Sequence, residues 1–280
     1  MRKWSILFAM AAISTVGCFV YSYFDPDWWL PNTARDMHRV VSTFGREIDN
    51  LFLIILFVTG GVFIITQVVL VAAMYRFPDR RDEQGRPVRK AVYSHGSQLL
   101  ELIWTVIPAG ILVFIALYQM GTWASIKYRG SAPRVPPLAE ITARQFQWVM
   151  RYPGPDRKLN TADDLVVIDD LHFVKKQSVL IYLKSADVLH SFYLPQLRIK
   201  QDAVPGLTIP VWFDCDEAGE YELVCAELCG WGHYKMRGNV TVHETEKDLR
   251  RWIDEKLAEQ GRSQLAMIPG SGSEGGDRDD

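Results

Sequence analysis

From Leu51 to Tyr75 the sequence carries no charged side chain. A helix of about 25 residues crosses a hydrocarbon layer of about 30 Å. A core helix of a soluble protein would show a polar stripe, yet only Thr59, Thr66 and Gln67 interrupt this run, so it reads as a membrane span. A second apolar run, Leu99 to Met120, contains Glu101 and Pro108. Both are tolerated in a span that has polar neighbours or cavity water. The connecting residues 76–98 hold Arg76, Arg80, Arg81, Arg86, Arg89 and Lys90 against Asp79, Asp82 and Glu83. That excess of positive charge marks the loop as cytoplasmic and puts everything after Met120 on the outer face.

Residues 1–24 open with Arg2 and Lys3 and then run apolar, which fits either a cleaved signal peptide or an additional N-terminal span. Thr15-Val16-Gly17-Cys18 is a poor lipoprotein signal, because a larger aliphatic residue is expected three positions before the cysteine. Either fate leaves residues 25–50 on the outer face, with Tyr23, Trp28 and Trp29 placed as an interfacial aromatic belt. The 31 basic and 33 acidic side chains are nearly balanced, which gives no sign of nucleic-acid binding.

Beyond Met120 the pattern shortens to β-rich runs: Ile141 to Met150, Leu165 to Ile168, Ser178 to Leu183, Thr208 to Phe213, Tyr221 to Cys225 and Gly238 to Val242. Turn residues such as Pro153-Gly154-Pro155 and Pro205-Gly206 separate them, which predicts a small antiparallel sandwich or barrel over residues 130–261. Leu249, Trp252, Ile253 and Leu257 then recur at helical spacing behind Thr245, with Asp248 in a capping-box position and Gly261 available as a stop. Residues 262–280, rich in Gly, Ser and Asp, cannot bury enough apolar surface to order themselves and read as a disordered tail. The acidic residues of loop 156–170 do not match the spacing of an EF-hand, which favours a solvated hairpin loop.

The chemistry concentrates between Cys225 and Met236, where Cys225, Cys229, His233 and Met236 stand within one short segment. Thiolate, thioether and imidazole are soft or borderline donors that suit copper. His190, in a strand-like context upstream, can supply a second imidazole. Zinc competes through a Cys2His2 set, but it would leave Met236 idle. A single blue-copper centre uses one cysteine, so the second is informative, since two thiolates can bridge two metals. Cys215, alone in a strand-like run, reads as a buried small side chain, and Cys18 lies in the first apolar run. No Cys-x-x-Cys-His occurs, so no c-type haem is attached to this sequence.

The order of His190, then Cys225-x-Glu227-x-Cys229-x3-His233-x2-Met236, behind two spans, resembles subunit II of the haem-copper cytochrome c oxidases. Glu101-Leu102-Ile103-Trp104-Thr105-Val106-Ile107-Pro108 and His190-Ser191-Phe192-Tyr193-Leu194-Pro195 carry the same likeness, which covers about residues 40–260. The resemblance implies a membrane-anchored all-β protein, a transmembrane helical hairpin (residues 51–120) followed by a cupredoxin-like Greek-key β-sandwich or barrel. It also implies a binuclear copper A centre. Cys225 and Cys229 would bridge, His190 and Met236 would complete one copper, and His233 with the Glu227 carbonyl would complete the other. The Glu227 side chain would reach a magnesium ion shared with subunit I. Metal ligation would hold both cysteines deprotonated.

Glu101 reads either as a glutamate that snorkels to headgroups or, by the resemblance, as the mouth of a proton pathway into subunit I. Where the family places a tryptophan to receive electrons, this sequence has Phe146, followed by Trp148. That departure leaves the electron route open: a modified docking surface, a tethered donor or a neighbouring respiratory complex. Two acidic groups, Asp214, Asp216, Glu217, Glu220 and Glu222, and Asp163, Asp164, Asp169 and Asp170, could steer a basic donor or simply be solvated faces. His38, His95, His172 and His243 have no ligand partners nearby in sequence.

The implied function is the electron-accepting subunit of a terminal oxidase in a bacterial inner membrane, with its copper domain on the periplasmic side. It would work with subunit I, subunit III, membrane lipid and a c-type cytochrome. A quinol-oxidase subunit II would have lost the copper ligands that are intact here. A membrane-tethered copper chaperone or store and a zinc-stabilised structural subunit remain as alternatives.

Overall fold

The structure, a computed structural model, describes residues 2–24, 40–78, 82–86, 88, 93 and 95–266. Trp28, Trp29, most of segment 25–50, Arg80, Arg81, Arg89 and Lys90 of the loop, and the tail from residue 267 lie outside them. The chain divides into a helical unit, residues 1–39 with 47–128, and a β unit, residues 40–46 with 129–280.

Helix α1 is Arg2–Phe24, α2 is Thr43–Arg76 and α3 is Gln98–Lys127. The last two, of 34 and 30 residues, each contain an 18-residue stretch, of mean hydropathy 2.6 and 2.3 respectively, in which no residue is fully buried by protein. Such surfaces require lipid, and these two helices anchor the chain in the membrane. The hydroxyls inside α2 are satisfied within the helix: Thr59 Oγ1 donates to the Ile55 carbonyl and Thr66 Oγ1 to that of Phe63, each at 2.8 Å. Helix α3 starts behind Ser97, whose Oγ accepts the Leu100 N–H at 3.5 Å, and it continues through Pro108.

Among the described residues the β unit has ten strands. They are β1 (Ala139–Arg144), β2 (Gln147–Tyr152), β3 (Leu165–Ile168), β4 (Asp170–Val174), β5 (Val179–Ser185), β6 (His190–Leu194), β7 (Ile199–Ala203), β8 (Ile209–Phe213), β9 (Gly219–Cys225) and β10 (Arg237–His243). They form two five-stranded sheets, ordered β3-β2-β1-β5-β8 and β4-β10-β9-β6-β7. Alternation places Trp148, Met150 and Tyr152 of β2 inside. Aromatic pairs join the sheets across the core: Trp148 meets Phe192 edge-on at 5.8 Å, and Phe173 meets Phe213 at 5.3 Å.

Three expectations need correction. The run Ile141 to Met150 is two strands, because the chain reverses at Gln145-Phe146 and β1 pairs antiparallel with β2. Nor is the sandwich purely antiparallel. β1 runs parallel to β5 and β10 parallel to β4, since the chain crosses between sheets before returning beside an earlier strand. Finally, the C-terminal helix α4 (Glu246–Ala266) runs through Gly261, where a side chain would meet nothing, and takes in the first residues of the expected tail.

Helix α4 begins as the sequence suggests. Thr245 Oγ1 accepts the Asp248 N–H at 3.3 Å and donates to the Asp248 carboxylate at 2.7 Å. Its Gln260 side chain reaches β3, accepting the Val166 N–H and donating to the Asp164 carbonyl, both at 3.0 Å. Trp252 stacks on His172 with ring centroids 3.6 Å apart and meets Tyr152 edge-on at 5.4 Å.

His172 and His243, partnerless in sequence, form a hydrogen-bonded row. His172 Nε2 is 2.9 Å from Asp170 Oδ1 and its Nδ1 is 2.9 Å from His243 Nε2. A carboxylate only accepts, so His172 Nε2 carries a proton toward Asp170. Burial, reinforced by the neighbouring His172, holds His243 below its ordinary value, against Asp248, Glu220 and Asp170. With this depressed value the unfolded chain binds more protons as pH falls through the ordinary histidine range. The contribution to α4 docking is therefore full above about pH 6.5 and is lost as pH drops through the folded value. Protection of α4 amides against hydrogen exchange in the full chain, relative to the intrinsic chemical rate, should fall as pH drops from about 7.5 to about 5.5. Replacing Trp252 by Ala should remove about 2 kcal/mol of docking. Exchange that is pH-independent in α4 beyond the intrinsic chemical rate would contradict the first expectation.

Candidate metal centre

The site is a loop held at both ends. Strand β9 ends at Cys225 and β10 starts after Met236, and the Cys225 N–H donates to the Met236 carbonyl at 3.1 Å. Strand β6 pairs with β9 so that Phe192 lies opposite Cys225, and the Ala226 N–H donates to the Ser191 carbonyl at 3.0 Å. This register carries His190 to the loop. Inside it, the His233 N–H bonds the Gly230 carbonyl at 3.1 Å and the Met236 N–H that of His233 at 3.2 Å.

The β1–β2 turn supports the loop from outside. Gln145 Nε2 donates to the Cys229 carbonyl at 2.6 Å. Gly232 lies against the Phe146 ring so closely that a Cβ would sit 2.4 Å from it. Gly230, at φ +129°, adopts backbone open to glycine and little else.

Cys225 and Cys229 Sγ are 3.8 Å apart. His190 Nδ1 lies 3.9 Å from Cys225 Sγ, and His233 Nδ1 lies 3.6 Å from Cys229 Sγ. Met236 Sδ is 3.8 Å from Cys229 Sγ, and the Glu227 carbonyl is 3.3 Å from Cys225 Sγ. The ligand atoms of His190, Cys225 and Cys229 lie within 4.8 Å of one another, forming a metal-capable group among the described residues. His190, Cys225, Cys229 and Met236 are buried, whereas His233 and Glu227 are half-buried. Burial, with Cys225 beside it, pushes the Cys229 thiol up to about 11.

Asp187 is the functional side chain that the sequence reading missed. Its carboxylate lies 2.8 Å from His190 Nε2 and accepts the Gln145 N–H at 2.7 Å. Partial burial opposes its ionisation, but the Gln145 N–H, the His190 ring and the Val188 N–H together hold it below the usual carboxylate range. The carboxylate thus fixes the ring with Nδ1 toward the thiols. An acid three residues before a candidate ligand was the available signal.

Other candidates fall elsewhere. Trp148 is completely buried behind the site, 6.4 Å from the His190 ring, and offers no surface to a donor. Phe146 is half-buried beneath the glycines of the loop. Glu101 occupies the first turn of α3, in the helical unit. Cys215 is buried, with its thiol donating to the Glu217 carbonyl at 3.2 Å.

Much of the acidic surface is engaged locally. Asp214 accepts the Thr43 N–H at 3.0 Å, Asp216 pairs with Arg46, and Glu220 accepts from Thr241 at 2.9 Å. Asp169 accepts the Trp148 N–H at 2.7 Å. Buried Asp164 gathers the N–H groups of Asn160 and Thr161 at 2.7 and 3.2 Å, so the loop is tied down from within.

Fold and site together define a membrane-anchored cupredoxin-like domain bearing a sulfur-rich, metal-capable loop. Residues 142–243 match the family model of the cytochrome c oxidase subunit II periplasmic domain, and residues 32–121 match that of its transmembrane domain. The alternative cytochrome c oxidase subunit 2 of Bradyrhizobium diazoefficiens is 30% identical over 271 residues, covering 89% of this chain and 91% of that protein. Cytochrome c oxidase subunit 2 of Thermostichus vulcanus is 28% identical over 257 residues, covering 73% of each. The crystal structure of the periplasmic domain of subunit II of cytochrome oxidase from Bradyrhizobium japonicum is 25% identical, with a TM-score of 0.39, covering 46% of this chain and 98% of that one.

The chain belongs to the cytochrome c oxidase subunit II family. By that membership it is a subunit of a cytochrome c oxidase, and its β unit is the periplasmic domain.

If Asp187 orients His190, Asp187→Ala should lower copper affinity of the full chain about ten- to a hundred-fold, measured by titration against a competing chelator. Unchanged affinity would reject that role.

Proposed function

We propose that this subunit accepts electrons from a c-type cytochrome at a binuclear copper A centre and passes them to haem in subunit I, where oxygen is reduced to water with proton translocation. The observation that carries this reading is the pair of adjacent thiols with a histidine against each sulfur. A tetrahedral zinc site would gather all four ligands mutually, but His233 stands outside the tight group of His190, Cys225 and Cys229. Two flanking imidazoles, a thioether and a carbonyl around two sulfurs suit two soft ions better than one borderline ion.

Cys225 and Cys229 would bridge, with His190 and Met236 on one ion and His233 and the Glu227 carbonyl on the other. Two coppers held there would supply one-electron transfer. The chain's own contribution is rigidity. Asp187 fixes His190, and Gln145 and Phe146 brace the loop from outside. Burial of both thiols and Met236 keeps water from the donors. Metal binding must displace the proton that burial holds on the Cys229 thiol. The Glu227 side chain would serve a magnesium ion shared with subunit I, and Glu101 would open a proton pathway into subunit I. Subunit III and surrounding lipid complete the assembly, and a neighbouring respiratory complex is the other source of electrons.

Loading the full chain with copper should give two ions per chain and a purple, mixed-valence centre whose hyperfine pattern shows one electron shared by both. A colourless copper(I) or zinc protein would overturn the reading. In the assembled oxidase, Glu101→Gln should slow both turnover and proton uptake; unchanged rates would exclude the pathway role.

A further inference from the structure

Among the described residues of the β unit, the three most exposed large apolar side chains all belong to the metal loop: Trp231 at 81%, Leu228 at 77% and Tyr234 at 71%. Exposed apolar clusters of this kind mark contact surfaces. Trp231 is the best anchored of them. It stands between Gly230 and Gly232, whose backbones lie on the Phe146 ring, and its indole carries the Lys235 ammonium 5.5 Å from the ring centroid. One residue separates it from Cys229 and one from His233. Phe146 itself is half-buried under this segment, and of the loop's exposed aromatic rings Trp231, ahead of Tyr234, is the more exposed.

Resting on the function proposed above, we infer that Trp231 is the anchor on which the electron donor docks and the ring through which the electron arrives. Electron tunnelling weakens steeply with distance, so a donor must place its haem edge against the outer face of this loop. A large, rigid, amphipathic ring next to two ligands is the kind of side chain that dominates such contacts. The partner it fits is a c-type cytochrome with an exposed haem edge. One electron leaves the ferrous haem, which becomes ferric, and is accepted at the centre held by Cys225 and Cys229. No bond is made or broken and no proton moves.

The test uses the assembled oxidase. Hydroxyl-radical footprinting should find Trp231 reactive in the oxidase alone and protected when the cytochrome is added. Trp231→Ala should lower the second-order rate of electron uptake from reduced cytochrome about ten-fold or more, and Trp231→Phe should restore most of it, with the copper spectrum unchanged. Trp231 already protected without cytochrome, protection absent on its addition, or an Ala variant within about two-fold of the parent would overturn the inference. In those cases an intact two-copper spectrum leaves the proposed function standing. A parent without that spectrum would sink both.

Discussion

The backbone bond from Cys225 N–H to the Met236 carbonyl closes the metal loop, and the rest of the site depends on it. It fixes the ends of the excursion between β9 and β10 while their ladder sets the register below it. The pairing of β6 with β9 adds the remaining ligand, because Phe192 opposite Cys225 leaves His190 within reach of the first sulfur. A sulfur pair, two imidazoles and a thioether therefore meet through main-chain geometry, with the side chains needing little freedom of their own.

Around that closure the protein removes slack. Behind His190 sit Trp148 and Phe192, themselves locked in the inter-sheet core, while Asp187 holds the outer nitrogen of the ring. From outside, the turn between β1 and β2 supplies Gln145 and Phe146 to the loop. The copper centre proposed above would benefit from such confinement, since less rearrangement would accompany each electron.

Features that are contiguous in the sequence were readable there. The two spans are uninterrupted apolar runs, and the cysteines, His233 and Met236 are spaced within one short segment. The turn at Gln145-Phe146 was hidden because it lacks the glycine, proline, asparagine or aspartate that usually marks a reversal. Parallel pairing leaves no local signature, and it is the parallel register of β4 with β10, Thr241 opposite His172, that brings His172 to His243 across 71 residues. Asp187 escaped notice because its task is to orient a ligand, which only the folded arrangement reveals. Of the acidic residues grouped in the sequence, Asp214, Asp169 and Asp164 accept backbone N–H groups, a task that composition cannot reveal.

The reach of Gln260 to β3 has a further consequence. Strand β3 is the outermost strand of its sheet, and a bare edge invites pairing with the edge of another molecule. One carboxamide meets the Val166 N–H and the Asp164 carbonyl as a neighbouring strand would, so this margin is already partly paired. An oxidase subunit delivered to a membrane and assembled with others is thereby shielded, along this border, from zipping onto its own copies before it meets its partners.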